Sequence, residues 1–388
     1  MQKWNLNDSQ FTWLDRIKLA LFFLLPSNRW TMDKHVKNFE SEMANFVGAK
    51  HAVFVSSGST ANTILACYLK DSLKNSTNKI RKIIFPSTTW TTSVSPFVRE
   101  GFEPVFVDIN LSDFSMDLDV VEDVVSKDKS IEAIFITSLL GFVPDVERLE
   151  KISKKYKVRV LMDNCENTFG SFAGKNISSF FTSTTSTYFG HQLQSVEGGF
   201  IFTNDDDEYN YFLLARNHGL VRALPNDQKS KFLNKDVNER FDFFLLGNNY
   251  RNSDIHALIG RIDLKRASEY IASRTELFNY FKECLPNEKL LLPEEFPDRD
   301  HVAFCIPIVF KNAIDLTAII KECERNLIET RPIISGNLLR QTCYKQFGDY
   351  KNFPNSEFLH NNGFYVGLHP KVTKNQIDSL ITTINKYA

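Results

Sequence analysis

The chain has 388 residues, 43% of them hydrophobic and 24% charged, the balance of a globular protein large enough for a sizeable core and a second, smaller domain. Lys and Arg (46) nearly cancel Asp and Glu (47), which leaves no basic field for nucleic acid or an anionic membrane. Six scattered cysteines, Cys67, Cys165, Cys284, Cys305, Cys323 and Cys343, form no C-x-x-C pair; they predict free thiols in a reducing cytoplasm and neither a disulfide framework nor a metal site.

The first marked element is the apolar run 19–25, closed by Pro26. It is far shorter than the roughly 20 residues of a membrane span and predicts a buried or interface helix. From residue 50 onward short apolar runs alternate with amphipathic stretches. Residues 52–55 read as a buried strand and 60–69 as the helix after it. A strand at 82–85 is stopped by Pro86. A strand at 104–109 leads to a helix at 118–125, and a strand at 133–137 to a helix at 145–156. The strand 158–162 follows. Alternation at this spacing predicts an α/β fold with a mostly parallel sheet covered on both faces. Residues 200–203 are expected to close that sheet. The polar stretch 224–239 reads as an exposed loop. Beyond it, a strand at 303–310 and a helix at 316–325 belong to a second region. The predicted division is a large domain over 1–263 and a small α/β domain over 264–388.

Ligands of open parallel sheets bind at the carboxyl ends of the strands, and four segments carry chemistry there. In Ser56-Ser57-Gly58-Ser59-Thr60-Ala61-Asn62, Gly58 and Ser59 open a helix whose N–H groups suit a phosphate; an ordinary helix cap uses the same residues. Trp90, at the end of Pro86-Ser87-Thr88-Thr89-Trp90, suits the face of an aromatic cofactor or a packed core. Asp163 and Glu166 place two carboxylates after a strand, one for a ring nitrogen and one toward substrate, or a solvated acidic turn. The fourth segment, residues 183–199, runs from hydroxyl-rich strand through Ser186, Gly190 and His191 to Glu197-Gly198-Gly199. A lone histidine is more often structural than catalytic, but here it sits between phosphate-type and acidic motifs.

In order, these segments resemble the DegT/DnrJ/EryC1/StrS sugar aminotransferases, which share the aspartate-aminotransferase fold (fold type I of the pyridoxal-phosphate enzymes). The family pattern Ser-Gly-Thr-x-Ala, Pro-x-x-Thr-Phe/Trp, Asp-x-Ala-x-x-x-x-Gly, Ser-Phe-x-x-x-Lys to Glu/Asp-Gly-Gly, and Gly-x-Asn-x-Arg is matched by Ser57 to Ala61, Pro86 to Trp90, Asp163 to Gly170, Ser186 to Gly199 and Gly247 to Arg251. The resemblance covers roughly residues 30 to 388. Its departure is the informative part. Six positions before Glu197, where the family keeps the lysine that tethers the cofactor, stands His191. An imidazole cannot form that tether. The change resembles the 3-dehydratase branch, as do Glu329-Thr330-Arg331-Pro332 and the stretch 336–341.

What the resemblance implies is a pyridoxal 5'-phosphate enzyme working in the pyridoxamine 5'-phosphate form on a nucleotide-linked 4-keto-6-deoxy sugar. It would remove the C3 hydroxyl and be recharged by glutamate, which leaves as 2-oxoglutarate. Gly58, Ser59 and Ser186 would hold the phosphate, with Asn249 reaching it from the second subunit of a homodimer with shared sites. Trp90 would cover the ring, Asp163 would pair with its nitrogen, His191 would act as base, and Glu166 would assist near substrate. The product would be a dideoxysugar for a cytoplasmic branch of O-antigen, lipopolysaccharide or capsule synthesis. A dehydratase type acting on CDP-linked sugars adds a four-cysteine iron–sulfur site near its C-terminus; only Cys343 lies beyond residue 323 here. Two alternatives stay open: an ordinary sugar-nucleotide aminotransferase, and a catalytically silent relative that binds the cofactor or the sugar nucleotide.

Overall fold

In the computed structural model, residues 3–24, 29–74, 78, 80–285 and 288–387 are described. Within them the predicted strands form with ends shifted by one or two residues: β1 (His51–Val55), β2 (Lys82–Pro86), β3 (Glu103–Val107), β4 (Ile131–Thr137) and β5 (Arg159–Asp163). The short pair β6 (Ser171–Phe172) and β7 (Lys175–Asn176) precedes β8 (Thr182–Ser186) and β9 (Gly199–Thr203). Seven of these strands make the central sheet, in the order β1-β9-β8-β5-β4-β2-β3. The pairs from β3 to β8 are parallel, whereas β9 runs antiparallel to β8 and to β1. The strand expected to close the sheet is thus inserted one place in from the edge. All five of its residues are buried, since the sheet is covered on both faces there.

Helices cover both faces. Ile64, Leu65, Val94, Phe97 and Phe212 pack on one side; Val121, Val125, Leu149 and Ile152 pack on the other. Their starts are set by side-chain caps: Asp117, Asp145 and Asp205 each accept a first-turn backbone N–H, worth about 1 kcal/mol apiece. The stretch 224–239 is mostly exposed, as expected, but contains the one-turn helix Asn226–Lys229.

A second, antiparallel sheet is built from β11 (Cys305–Val309), β13 (Gly363–Gly367) and β12 (Thr330–Pro332), while β10 (Arg299–Asp300) pairs with β6. Its core contains Ile306, Ile308, Phe364, Leu380 and, from the other end of the sequence, Trp4. The apolar run near the start does form a helix, Trp13–Leu24; Leu25 and Pro26 lie outside the described residues. Of the two expectations, buried or interface, burial within this chain holds for only part of it. Phe22 is buried, whereas Leu21, Phe23 and Leu24 are exposed, and Asp15 faces inward to meet Arg266. Among the described residues no helix is long and apolar enough to cross a membrane.

Candidate active site

The carboxyl ends of β1, β2, β5 and β8 converge on a cavity of about 790 Å³. Seven of the eight predicted site residues line it: Gly58, Ser59, Trp90, Asp163, Glu166, Ser186 and His191. Asn249 does not. It lies on a bridge with Asn217 and accepts the Nε–H of Arg251 at 2.9 Å.

One end of the cavity suits a phosphate. The helix Gly58–Ser72 opens on a capping box in which Ser57 Oγ accepts the Thr60 N–H at 3.1 Å and Thr60 Oγ1 accepts the Ser57 N–H at 2.9 Å. The N–H groups of Gly58 and Ser59 remain, since a first helical turn has no intrahelical acceptor for them. Gly58 must be glycine for a packing reason. A Cβ there would stand 2.7 Å from Cys165 Sγ and 2.9 Å from Ser186 Cβ. That closeness sets the Ser186 hydroxyl beside the helix start. Its oxygen accepts the Tyr188 N–H at 3.2 Å, which leaves its proton to donate. Trp90, 55% exposed, stands at the start of the helix Thr91–Arg99.

Asp163 ends β5 and is buried. Its Oδ2 accepts from Asn62 Nδ2 and Ser93 Oγ, each at 2.8 Å, and its Oδ1 from the Cys165 N–H at 3.0 Å. Asn62 is itself oriented by Thr184, whose hydroxyl donates to Asn62 Oδ1 at 2.7 Å. The sequence reading did not assign Asn62 or Ser93. Asn62 carried one signal: it lies four residues after Gly58 and so on the same helix face. Ser93 carried none.

The Nδ1 of His191 is hydrogen-bonded to the carbonyl oxygen of Cys165. A carbonyl only accepts, so Nδ1 holds the proton and Nε2 keeps its lone pair. Among the described residues Nε2 has no hydrogen-bond partner. Burial lowers the pKa of His191 below the usual value of 6.5; the Cys165 carbonyl and Asp163 oppose this, and Arg274 adds to it. The imidazole is therefore a neutral base at pH 7. The ring of Phe304 lies 5.6 Å away.

Glu166 shows the opposite behaviour. Burial pushes its carboxyl up to about 8, against the Leu140 N–H that donates to Oε2 at 2.8 Å and with help from the charge of Asp163. The ordinary value is 4.5, so between about pH 4.5 and 8 the folded chain holds a proton that the unfolded chain has released. Stability is full below that window and declines as pH rises through it. The cofactor-free protein is expected to melt at a lower temperature at pH 8 than at pH 6, and the drop should shrink in Glu166→Gln. Equal drops in the two proteins would show that the proton is held elsewhere.

Several lining residues had no predicted role. Asn7 comes from the start of the chain and Tyr365 from β13. Glu329 and Arg331, quoted only as part of a late motif, also line the cavity; the guanidinium donates to Glu329 Oε1 at 2.8 Å. Among the described residues no lysine lines the cavity.

The sequence profile of the DegT/DnrJ/EryC1/StrS aminotransferase family matches residues 15–385. The chain belongs to this family. Like it, the GDP-4-keto-6-deoxy-D-mannose 3-dehydratase of Escherichia coli O55:H7 aligns along almost the whole chain, at 31% identity over 376 residues, 95% of this chain and 96% of that one. A solved structure of the E. coli GDP-4-keto-6-deoxy-D-mannose-3-dehydratase with bound hydrated PLP superposes with a TM-score of 0.90, at 29% identity and 99% coverage of both chains. A structure of GDP-4-keto-6-deoxymannose-3-dehydratase with a trapped PLP-glutamate geminal diamine gives 0.89, also at 29% identity, over 98% of this chain and 99% of that one. The expected fold class thus holds: this DegT/DnrJ/EryC1/StrS chain has the fold of the PLP-dependent aminotransferases. Its cavity also fits the cofactor: its lining holds two N–H groups without a partner among the described residues, beside the Ser186 hydroxyl, and a buried carboxylate, Asp163.

Proposed function

We propose that the chain is a pyridoxamine-phosphate-dependent dehydratase that removes the C3 hydroxyl of a nucleotide-linked 4-keto-6-deoxy sugar. The products are a 4-keto-3,6-dideoxy sugar and ammonia, with glutamate supplying the amino group and leaving as 2-oxoglutarate. The observation that carries this reading is His191: an imidazole with a free Nε2 in a cavity that no lysine lines among the described residues. The likeness to the GDP-sugar dehydratase of E. coli favours a GDP-linked substrate.

When bound, pyridoxamine phosphate supplies a primary amine for the sugar's ketone and a protonated ring that withdraws electrons. The Gly58 and Ser59 N–H groups and the Ser186 hydroxyl would hold its phosphate, Trp90 would cover one ring face, and Asp163 would hold the ring nitrogen's proton. His191 Nε2 would take up the proton given up by the cofactor's amine-bearing carbon and hand it to the C3 hydroxyl, which would leave as water, a base and an acid in turn. Glu166, protonated at neutral pH, donates a hydrogen bond toward the substrate side. Asn249, which does not line this chain's cavity, would reach the phosphate from the second copy of a homodimer with shared sites, as the resemblance implies. The reading also includes a division into a large domain (1–263) and a small one (264–388), and a cytoplasmic place in dideoxysugar synthesis for a surface polysaccharide.

Two readouts test the proposal on the purified protein. After the pyridoxal-phosphate complex is freed of excess cofactor and reduced with borohydride, mass spectrometry should find no lysine carrying cofactor in stoichiometric amount. With glutamate, cofactor and GDP-4-keto-6-deoxymannose, the sugar product should be lighter by one oxygen atom. A stable 4-amino sugar that keeps its C3 oxygen would instead identify an aminotransferase, and inertness toward all 4-keto sugar nucleotides a silent relative.

A further inference from the structure

The segment before the first helix has no role in the chemistry described so far, yet it is anchored at one end and touches the base at the other. Trp4 is buried. Its N–H donates to Leu327 O and its carbonyl accepts from Glu329 N–H, both at 2.9 Å, and its indole Nε1 donates to Gly367 O at 2.8 Å. Leu6 donates its N–H to Glu329 Oε2 at 3.2 Å, and it lies so close to Gly367 that a Cβ there would be 2.1 Å from Leu6 O. The chain start is therefore stitched to the beginning of β12 and the end of β13.

From this anchor Asn7 enters the cavity lining. Its Nδ2 donates to the carbonyl of Phe189 and, at 3.5 Å, to that of His191. The receiving segment is a tight loop. It is closed by Thr187 N–H to Gly198 O at 2.9 Å and Phe189 N–H to Val196 O at 3.0 Å, with the His191 N–H turned back on Tyr188 O at 2.9 Å. Val196 sits there at φ 71°, a left-handed conformation that costs a β-branched residue of order 1–3 kcal/mol. A loop that stores strain keeps its shape only when its surroundings hold it.

We infer that Asn7 is a positioning residue: its amide clamps the tip of the 187–198 loop and so ties the aim of His191 to the β11-β13-β12 sheet. This rests on the reading of His191 as the base. A displacement of about 1 Å in such a group costs on the order of 100-fold in rate.

The test compares wild type, Asn7→Ala and Asn7→Gln as full-length protein. In cofactor-free enzyme, hydrogen–deuterium exchange of peptides covering 187–198 should speed up in Asn7→Ala, with peptides from β2 and β4 unchanged. In loaded enzyme, kcat should fall by roughly 10- to 100-fold with KM within about 3-fold. The acid limb of the rate profile should move up toward the ordinary histidine value, because a loosened loop admits water to the ring. Asn7→Gln, which keeps the amide donor, should recover part of each. Wild-type exchange and wild-type kcat in Asn7→Ala would overturn the inference, as would faster exchange throughout the chain, which would mark a general stability contact. If wild type itself performs no C3 dehydration, the functional reading fails; the exchange experiment then still decides whether Asn7 clamps the loop.

Discussion

Replacing His191 by asparagine is expected to lower kcat for C3 deoxygenation by about 1,000-fold, within the range by which a positioned general acid–base group contributes, while the cofactor still binds. Asparagine is the informative choice because its amide can still donate to the Cys165 carbonyl, the bond that now fixes the imidazole. The loop keeps its anchor and only the Nε2 lone pair is lost. The phosphate seat at Gly58, Ser59 and Ser186 and the carboxylate of Asp163 are untouched, so absorbance titration should give cofactor affinity within a few-fold of wild type. The pH profile adds a second check. The pKa of His191 lies below 6.5, chiefly because burial disfavours the imidazolium. The wild-type rate should therefore fall on acidification only below that pH, and this limb should vanish in the variant. Unchanged turnover in His191→Asn would mean that another group moves the proton.

Much of the fold could be read from the sequence, because strands of a parallel sheet are buried on both faces and leave continuous apolar runs. Residues 52–55, 82–85 and 133–137 are such runs, and all lie in strands of the central sheet. The place of β9 could not be read. Whether an apolar strand ends a sheet or is inserted antiparallel between two others depends on partners remote in sequence, here β1 and β8. For the same reason nothing marked Trp4 as part of a core formed by residues near the other terminus. For the helix Trp13–Leu24, composition shows that the segment is apolar but not whether this chain covers it, and here it covers it only in part.

The site divides along the same line. Residues just at or after strand ends, such as Gly58 and Asp163, announce themselves through local motifs, and the cavity gathers them. Residues whose role is to hold those side chains do not. Ser93 reaches Asp163 from another helix, Asn7 reaches the His191 loop from the chain start, and Thr184 acts through Asn62. Such bonds are visible only once the backbone is folded.

The second large effect is expected at Asp163, where these supports meet. Asp163→Asn changes few atoms, but it turns one accepting oxygen into a donating amide in a site already filled with donors. The Asn62 amide and the Ser93 hydroxyl both point at Oδ2, and the Cys165 N–H at Oδ1. Ser93 can rotate its proton away. Asn62 cannot easily turn over, since its own oxygen accepts from Thr184. A buried donor left without an acceptor costs about 1–3 kcal/mol, so the cofactor-free variant should melt a few degrees below wild type. Turnover should fall further than stability explains. A neutral amide gives a ring nitrogen no anionic partner, and the electron withdrawal that the reaction draws on depends on that nitrogen keeping its proton. The expected loss in kcat/KM is about 1,000-fold, or roughly 4 kcal/mol of transition-state stabilisation. Asp163→Asn protein that melts lower but turns over at the wild-type rate would show that Asp163 only braces the sheet end and that the ring nitrogen is served by another group.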